Sequence, residues 1–177
     1  IKSKKTTYSI TDNFFSFSFL FSEPYKSNLE IGETHSAEEK LQQHFPSYIG
    51  RRFEALIRDE LLKKLNIFTV QKTGRWWGHY RDEKTNTRKE VEIDIVALNE
   101  NEKKAVFGEA KWSKKPVGVD VYENLKRKTQ FVEWNRDDRK EYFCLFSKSG
   151  FTENMLKLAA EERIVLFHGD KMLEGKL

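Results

Sequence analysis

Two runs of extended character, separated by only four residues, constrain this chain more than any other feature. "EVEIDIVAL" (90–98) alternates apolar and acidic residues, "NENE" (99–102) is turn-forming, and "KKAVFGEAKW" (103–112) follows as a second run. Alternation with a period of two is the mark of a strand with two different faces. The short polar connection predicts an antiparallel hairpin. On strict alternation Val91, Ile93, Ile95 and Ala97 share one face, and Glu90, Glu92, Asp94 and Val96 the other. In the second run Glu109 and Lys111 share a face, with Val106, Gly108, Ala110 and Trp112 opposite. Pairing of the runs allows Asp94 and Glu109 to lie on the same side of the sheet.

Carboxylates on a buried strand demand compensation, because an unpaired buried charge is very costly. Two neighbouring carboxylates repel each other and so favour a bound cation. Oxygen ligands at one or two points, completed by water and phosphate, suit Mg²⁺. The same alternation also fits a half-solvated sheet face on which Lys111 pairs with Glu92 or Asp94.

The period changes on either side of the hairpin. Ser36 and Glu39 have capping-box spacing and predict a short helix ending at Pro46. A longer helix is expected over 47–65, with Ile49, Phe53, Leu56, Ile57, Leu61 and Leu65 on its buried stripe. Glu54 falls in the same sector and would point toward the sheet, although Arg51 and Arg58 stand at pairing distance along the helix. "IFTVQ" (67–71) reads as a strand, leading into a polar hairpin-like connection over 72–90 that contains Trp76 and Trp77. Residues 119–134 read as a helix with Val119, Tyr122, Leu125, Phe131 and Trp134 inward. A strand (141–147), a helix capped by Thr152 (152–162) and a last strand (163–168) complete the chain. The order α-β-β-β-α-β-α-β predicts an α/β protein with a mixed sheet and helices on both faces.

Residues 1–35 differ in character, with a β-like "TTYSI" (6–10), an aromatic helix over 14–21 capped by Thr11 or Asp12, and a turn-rich stretch after it. They read as an extension or linker from a preceding region, with the main domain over 36–177. The greasy run "FFSFSFLF" is too short to span a bilayer. Ile1 opens the chain without a signal-peptide pattern, so it reads as a piece of a longer, cytoplasmic protein. The single cysteine, Cys144, sits in an apolar strand, which excludes an internal disulfide and a cysteine-based zinc site. The four histidines lack metal-ligand spacing. The net charge of +4 is concentrated in residues 111–140, where nine Lys or Arg stand against five acids. Such a patch can bind phosphates, or can simply be a solvated helix surface.

Taken in order, Glu54 on a helix, "EID" ending in Asp94, and "GEAKW" with Glu109 and Lys111 resemble the PD-(D/E)XK nuclease superfamily, with Ile93 where the superfamily name has Pro. "YIGRRFEALI", "GRWWG", "EVEIDIVAL" and "GEAKW" are more closely similar to a C-terminal domain of unknown function in archaeal P-loop ATPases, where a winged-helix region precedes it. The resemblance implies a restriction-endonuclease-like α-β-β-β-α-β core. It implies that Asp94 and Glu109, completed by Glu54, hold Mg²⁺ or Mn²⁺, that Lys111 orients the attacking water, and that Glu92 is an outer helper. The implied reaction is hydrolysis of DNA phosphodiester bonds, with Lys114, Lys115, Lys126, Arg127 and Lys128 contacting the backbone. An ATPase module in the same full-length chain, no membrane association, and compatibility with a homodimer go with it. The alternative is a catalytically silent nuclease-fold module that binds DNA or its ATPase.

Overall fold

In the computed structural model, residues 10–81 and 86–173 are described. The β-like run expected at 6–10 lies outside them except for Ile10. Helix α1 (Asn13–Phe17) starts where Asp12 Oδ1 accepts the Phe15 N–H at 2.9 Å, the cap the sequence offered. A wide helical turn (Ser18–Ser22), a tight one (Glu23–Tyr25) and α2 (Lys26–Glu30) follow.

Helix α3 (His35–Asp59) runs unbroken through Pro46, where two helices meeting at Pro46 were expected. Proline removes one rung and crowds the preceding turn. On either side of it Phe45 and Tyr48 pack against Phe17 and Phe21, with ring centroids 5.6–6.4 Å apart. Tyr48 Oη also donates to the Asn13 carbonyl. Tertiary packing overrides the local breaker here. The chain divides into two compact units, one ending at Arg52 and the other running from Phe53. The expected boundary at 35/36 lies inside the first.

The second unit is built on a six-stranded mixed sheet in the order β1-β2-β3-β4-β5-β6. The strands are β1 (Lys72–Arg81), β2 (Arg88–Asn99), β3 (Lys104–Lys111), β4 (Lys140–Ser147), β5 (Val165–His168) and β6 (Lys171–Leu173). The β3–β4 and β4–β5 pairs are parallel and the rest antiparallel. Helices α4 (Val119–Thr129) and α5 (Glu153–Glu162) make the two crossovers, α5 starting at the Thr152 cap. Together they cover one face, with Tyr122, Leu125, Met155 and Ala159 on Ile93, Val96, Phe107, Leu145 and Leu166. The opposite face packs Ile95, Ala97, Val106, Cys144, Phe146 and Phe167 under Phe53 and Ile57 of α3 and Leu62 of the 3₁₀ turn that follows it (Leu61–Leu65). Leu56 stays exposed instead of joining that stripe, and the side chain of Leu61 lies outside what is described. Among the described residues no helix is long and apolar enough to cross a membrane.

The first strand is not "IFTVQ" but the polar segment after it. As an edge strand, β1 half-buries Trp76, Gly78 and Tyr80 and exposes Arg75, Trp77, His79 and Arg81. That one-sided burial is why it reads as a connection. A Cβ at Gly78 would meet the Trp76 indole at 2.6 Å, so glycine lets that ring lie along the strand. Ile67 and Phe68 instead pack on the α3-side core.

Candidate functional site

Strict alternation fails at one place in β2. Gly74 pairs with Val96, but Trp76 pairs with Ile93. Asp94 and Ile95 therefore stand against the single residue Arg75, which is a β-bulge. Its effect is to move Ile95 and Ala97 to the α3 side, while Ile93 and Val96 both face α4 and α5. The expected grouping of Ile93 with Ile95 and Ala97 is thereby corrected.

The bulge also aims Asp94. Pairing of β2 with β3 ends at the Ile95–Gly108 rung. Beyond it the strands part, and the Ala110 N–H donates to Asp94 Oδ2 at 3.1 Å. Asp94 is thus held in the gap between the two strands. Burial raises its carboxyl pKa, the Glu109 charge adds to the rise, and the Ala110 bond opposes it.

Glu109 is 5% exposed. Lys111 Nζ donates to its Oε1 at 2.7 Å, and Lys128 Nζ from α4 reaches Oε1 at 3.1 Å and Oε2 at 2.8 Å. Lys111 therefore pairs along its own strand rather than with Glu92. Burial works to lower the pKa of Lys111, but Glu109, with Asp94 and Glu54 behind it, raises it on balance and fixes it as an ammonium.

Glu54, on α3, is held by arginines. Arg75 lies 3.6 Å from it and Arg58 4.0 Å. Arg75 bridges onward to Glu92 at 2.5 Å. The Glu54 carboxyl pKa is raised by burial first and by Asp94 second, so Asp94 and Glu54 also feel each other. The three acids reach the end of the β2–β3 pairing from three levels: Glu54 from α3, Asp94 in the gap, and Glu109 toward α4. Accordingly, no group of three or more His, Cys, Asp or Glu among the described residues forms a ready metal cage. Asp94 and Glu109 are two carboxylates whose charges act on each other, the donor type that hard divalent cations take.

Of the expected DNA contacts, Lys114 and Lys115 are exposed on the loop after β3. Lys126 is tied to Glu162 at 3.3 Å and Arg127 to Asn124 at 2.8 Å. Lys128 is not a surface cation, because its side chain is 14% exposed and seated on Glu109. Trp112 lies against Phe53 (5.2 Å) and under Lys148 (4.7 Å). The sequence reading missed Arg75 and the seating of Lys128. Reading 72–81 as a strand would have placed Arg75 on the same face as Trp77, but nothing in the spacing of 109 and 128 marks their contact. Cys144 is wholly buried with its thiol pKa raised by burial, a packing residue as expected.

A model of the DUF234 family, archaeal and bacterial proteins of unknown function, matches residues 17–134. The chain belongs to the DUF234 family. The DUF234 match takes in Glu54, Arg75, Asp94, Glu109, Lys111 and Lys128 and ends before β4. An uncharacterized protein of Methanocaldococcus jannaschii is 36% identical over 154 residues, covering 84% of this chain. This DUF234 chain spans about a third of that relative's length (32%). No solved structure matches it.

Proposed function

We propose that this DUF234 domain is a metal-dependent deoxyribonuclease of the PD-(D/E)XK type, built on a restriction-endonuclease-like core. The observation that carries this reading is the bulge at Asp94–Ile95, which holds Asp94 where β2 leaves β3, beside Glu109 and Lys111. Bulges of this kind re-aim side chains next to active sites. Burial first, and then the charge of Glu109 on Asp94 and of Asp94 on Glu54, raises both carboxyl pKa values, and perturbed acids clustered in this way characterise functional sites.

Asp94 and Glu109 would hold Mg²⁺ or Mn²⁺. When bound, such a cation lowers the pKa of water and neutralises phosphate charge. Lys111, kept protonated by Glu109, places a fixed positive charge where an attacking water and a scissile phosphate meet. Arg75 and Arg58 hold Glu54 and Glu92 in place beside it. Lys114 and Lys115 supply sequence-independent backbone contacts, which makes binding sensitive to salt. The greater length of the M. jannaschii relative leaves room for an ATPase module of the same chain to govern the domain.

The alternative, a silent module that binds DNA without cutting it, draws support from Glu109, whose two oxygens are already neutralised by lysines. Incubating the domain with supercoiled, linear and branched DNA, with and without Mg²⁺ or Mn²⁺, separates the two. Nuclease action requires metal-dependent cleavage that Asp94→Ala and Lys111→Ala abolish while the circular dichroism spectrum stays native. DNA bound but never cut under either metal establishes the silent module.

A further inference from the structure

Glu109 binds two ammonium groups, and only one of them belongs to its own strand. Lys128 arrives from α4 and contacts both carboxylate oxygens, with its side chain mostly out of solvent. The pair is close, partly buried and charge-assisted, conditions in which an ion pair is hard to break without a replacement charge. Asp94, Glu109, Lys111 and Lys128 together carry zero net charge, so the site is balanced with no metal in it. A divalent cation arriving at Asp94 and Glu109 brings two further positive charges to this balanced set. It must therefore compete for the oxygens Lys128 holds.

We propose that Lys128 is a positioning residue that sets the site's cation affinity. It occupies Glu109 in the metal-free protein and is released when a divalent cation binds. This rests on the metal-dependent reading of the site. Once freed, the ammonium stays tethered to α4 beside the cation, where the negative phosphate of a nucleic-acid substrate gives it a new partner. Cation binding and substrate binding are thereby coupled through one lysine, which the cation frees and the substrate phosphate then holds.

Two measurements test this. Calorimetric titration with Mn²⁺ alone compares the unaltered protein with Lys128→Met and with Lys157→Met, an exposed position on α5. Removing the competing charge should tighten Mn²⁺ binding about tenfold in Lys128→Met and leave Lys157→Met unchanged. Acylation footprinting read by mass spectrometry needs no variant: Lys128 should be protected without metal and become reactive on addition of Mg²⁺. Mn²⁺ binding that is equal or weaker in Lys128→Met, or Lys128 reactivity indifferent to Mg²⁺ in a protein that binds it, overturns the role of Lys128 and leaves the metal site standing. Absence of Mn²⁺ binding in every form overturns the metal site and this inference together.

Discussion

Replacing Arg139 by methionine should destabilise the second unit strongly, although Arg139 counts toward the basic excess of residues 111–140. Its side chain is 2% exposed. The guanidinium donates to the carbonyls of Val132, Trp134 (2.7 Å) and Thr129 (2.8 Å) and pairs with Glu141 at 2.7 Å. It also lies over the Phe107 ring at 5.2 Å. One side chain thus ties down the loop that returns from α4 to β4. Methionine fills the volume of the stem but supplies no donor, so three carbonyls lose partners at about 1 kcal/mol each. Glu141 is 29% exposed and regains water in place of its partner, so the lost ion pair adds only about 0–1 kcal/mol, which places the total near 3–4 kcal/mol. For a chain of this size that corresponds to a melting-temperature drop on the order of 10 °C. Arg139→Lys should fall between, since a point ammonium cannot span acceptors arranged around a planar fork. Urea and thermal unfolding followed by circular dichroism measure both variants. A loss below about 1 kcal/mol for the methionine variant would refute the structural role of Arg139.

Asp94→Asn should be more stable than the unaltered protein at neutral pH, because the folded state raises the Asp94 pKa above its ordinary 3.8 and so penalises its ionisation. Below that ordinary value both states carry the proton and the advantage disappears. It should grow as pH rises through the raised folded value. Melting temperatures of the two proteins from pH 3 to pH 8 check this, and an asparagine variant that is less stable at pH 7 contradicts it. Gly108→Ala should cost about 1–3 kcal/mol by overpacking, since its Cβ would lie 2.7 Å from Cys144 Sγ and 3.2 Å from Ile95 Cβ. Adding Cys144→Ala should recover part of that loss in urea unfolding, and no recovery would show that the strain lies against Ile95 or the Cys144 carbonyl, 3.3 Å away, rather than the thiol.

Elements whose signal was local could be read from the sequence. Thr152 caps α5, Asp12 caps α1, and the β2–β3 hairpin, α4, β4 and β5 occur close to where periodicity places them. Helix α4 ends at Thr129 rather than 134, yet Trp134 still packs on the core and Phe131 stacks on Tyr80 at 4.6 Å. The apolar residues were identified correctly while the backbone holding them was not. The errors fall where distant contacts decide. Pro46 sits inside a helix whose residues on either side of it, Phe45 and Tyr48, are anchored on Phe17 and Phe21. The β1 strand hides in a polar segment because only one of its faces meets the core. Ile67 and Phe68, from the run at 67–71, pack on the α3-side core without pairing as a strand.

The site divides along the same line. Its residue types, two acids and a lysine on neighbouring strands, follow from alternation and a short turn. Their placement does not, because it depends on one extra residue in β2 that no pattern in β2 announces. The register shift is visible only against β1, where Gly74 and Trp76 hold their partners on one face and leave Arg75 opposite both Asp94 and Ile95. A regular β2 would carry Ile93 and Ile95 to the same core and keep Asp94 in step with the ladder, with no gap to occupy. The bulge gives Ile95 to the α3 side and frees Asp94 to take the Ala110 N–H in place of a ladder bond. The same irregularity therefore fills a second hydrophobic core and brings Asp94 to the charged cluster. Removing it by deletion in β2 would disturb packing and site together, so single-atom changes such as Asp94→Asn are the ones that separate chemistry from fold.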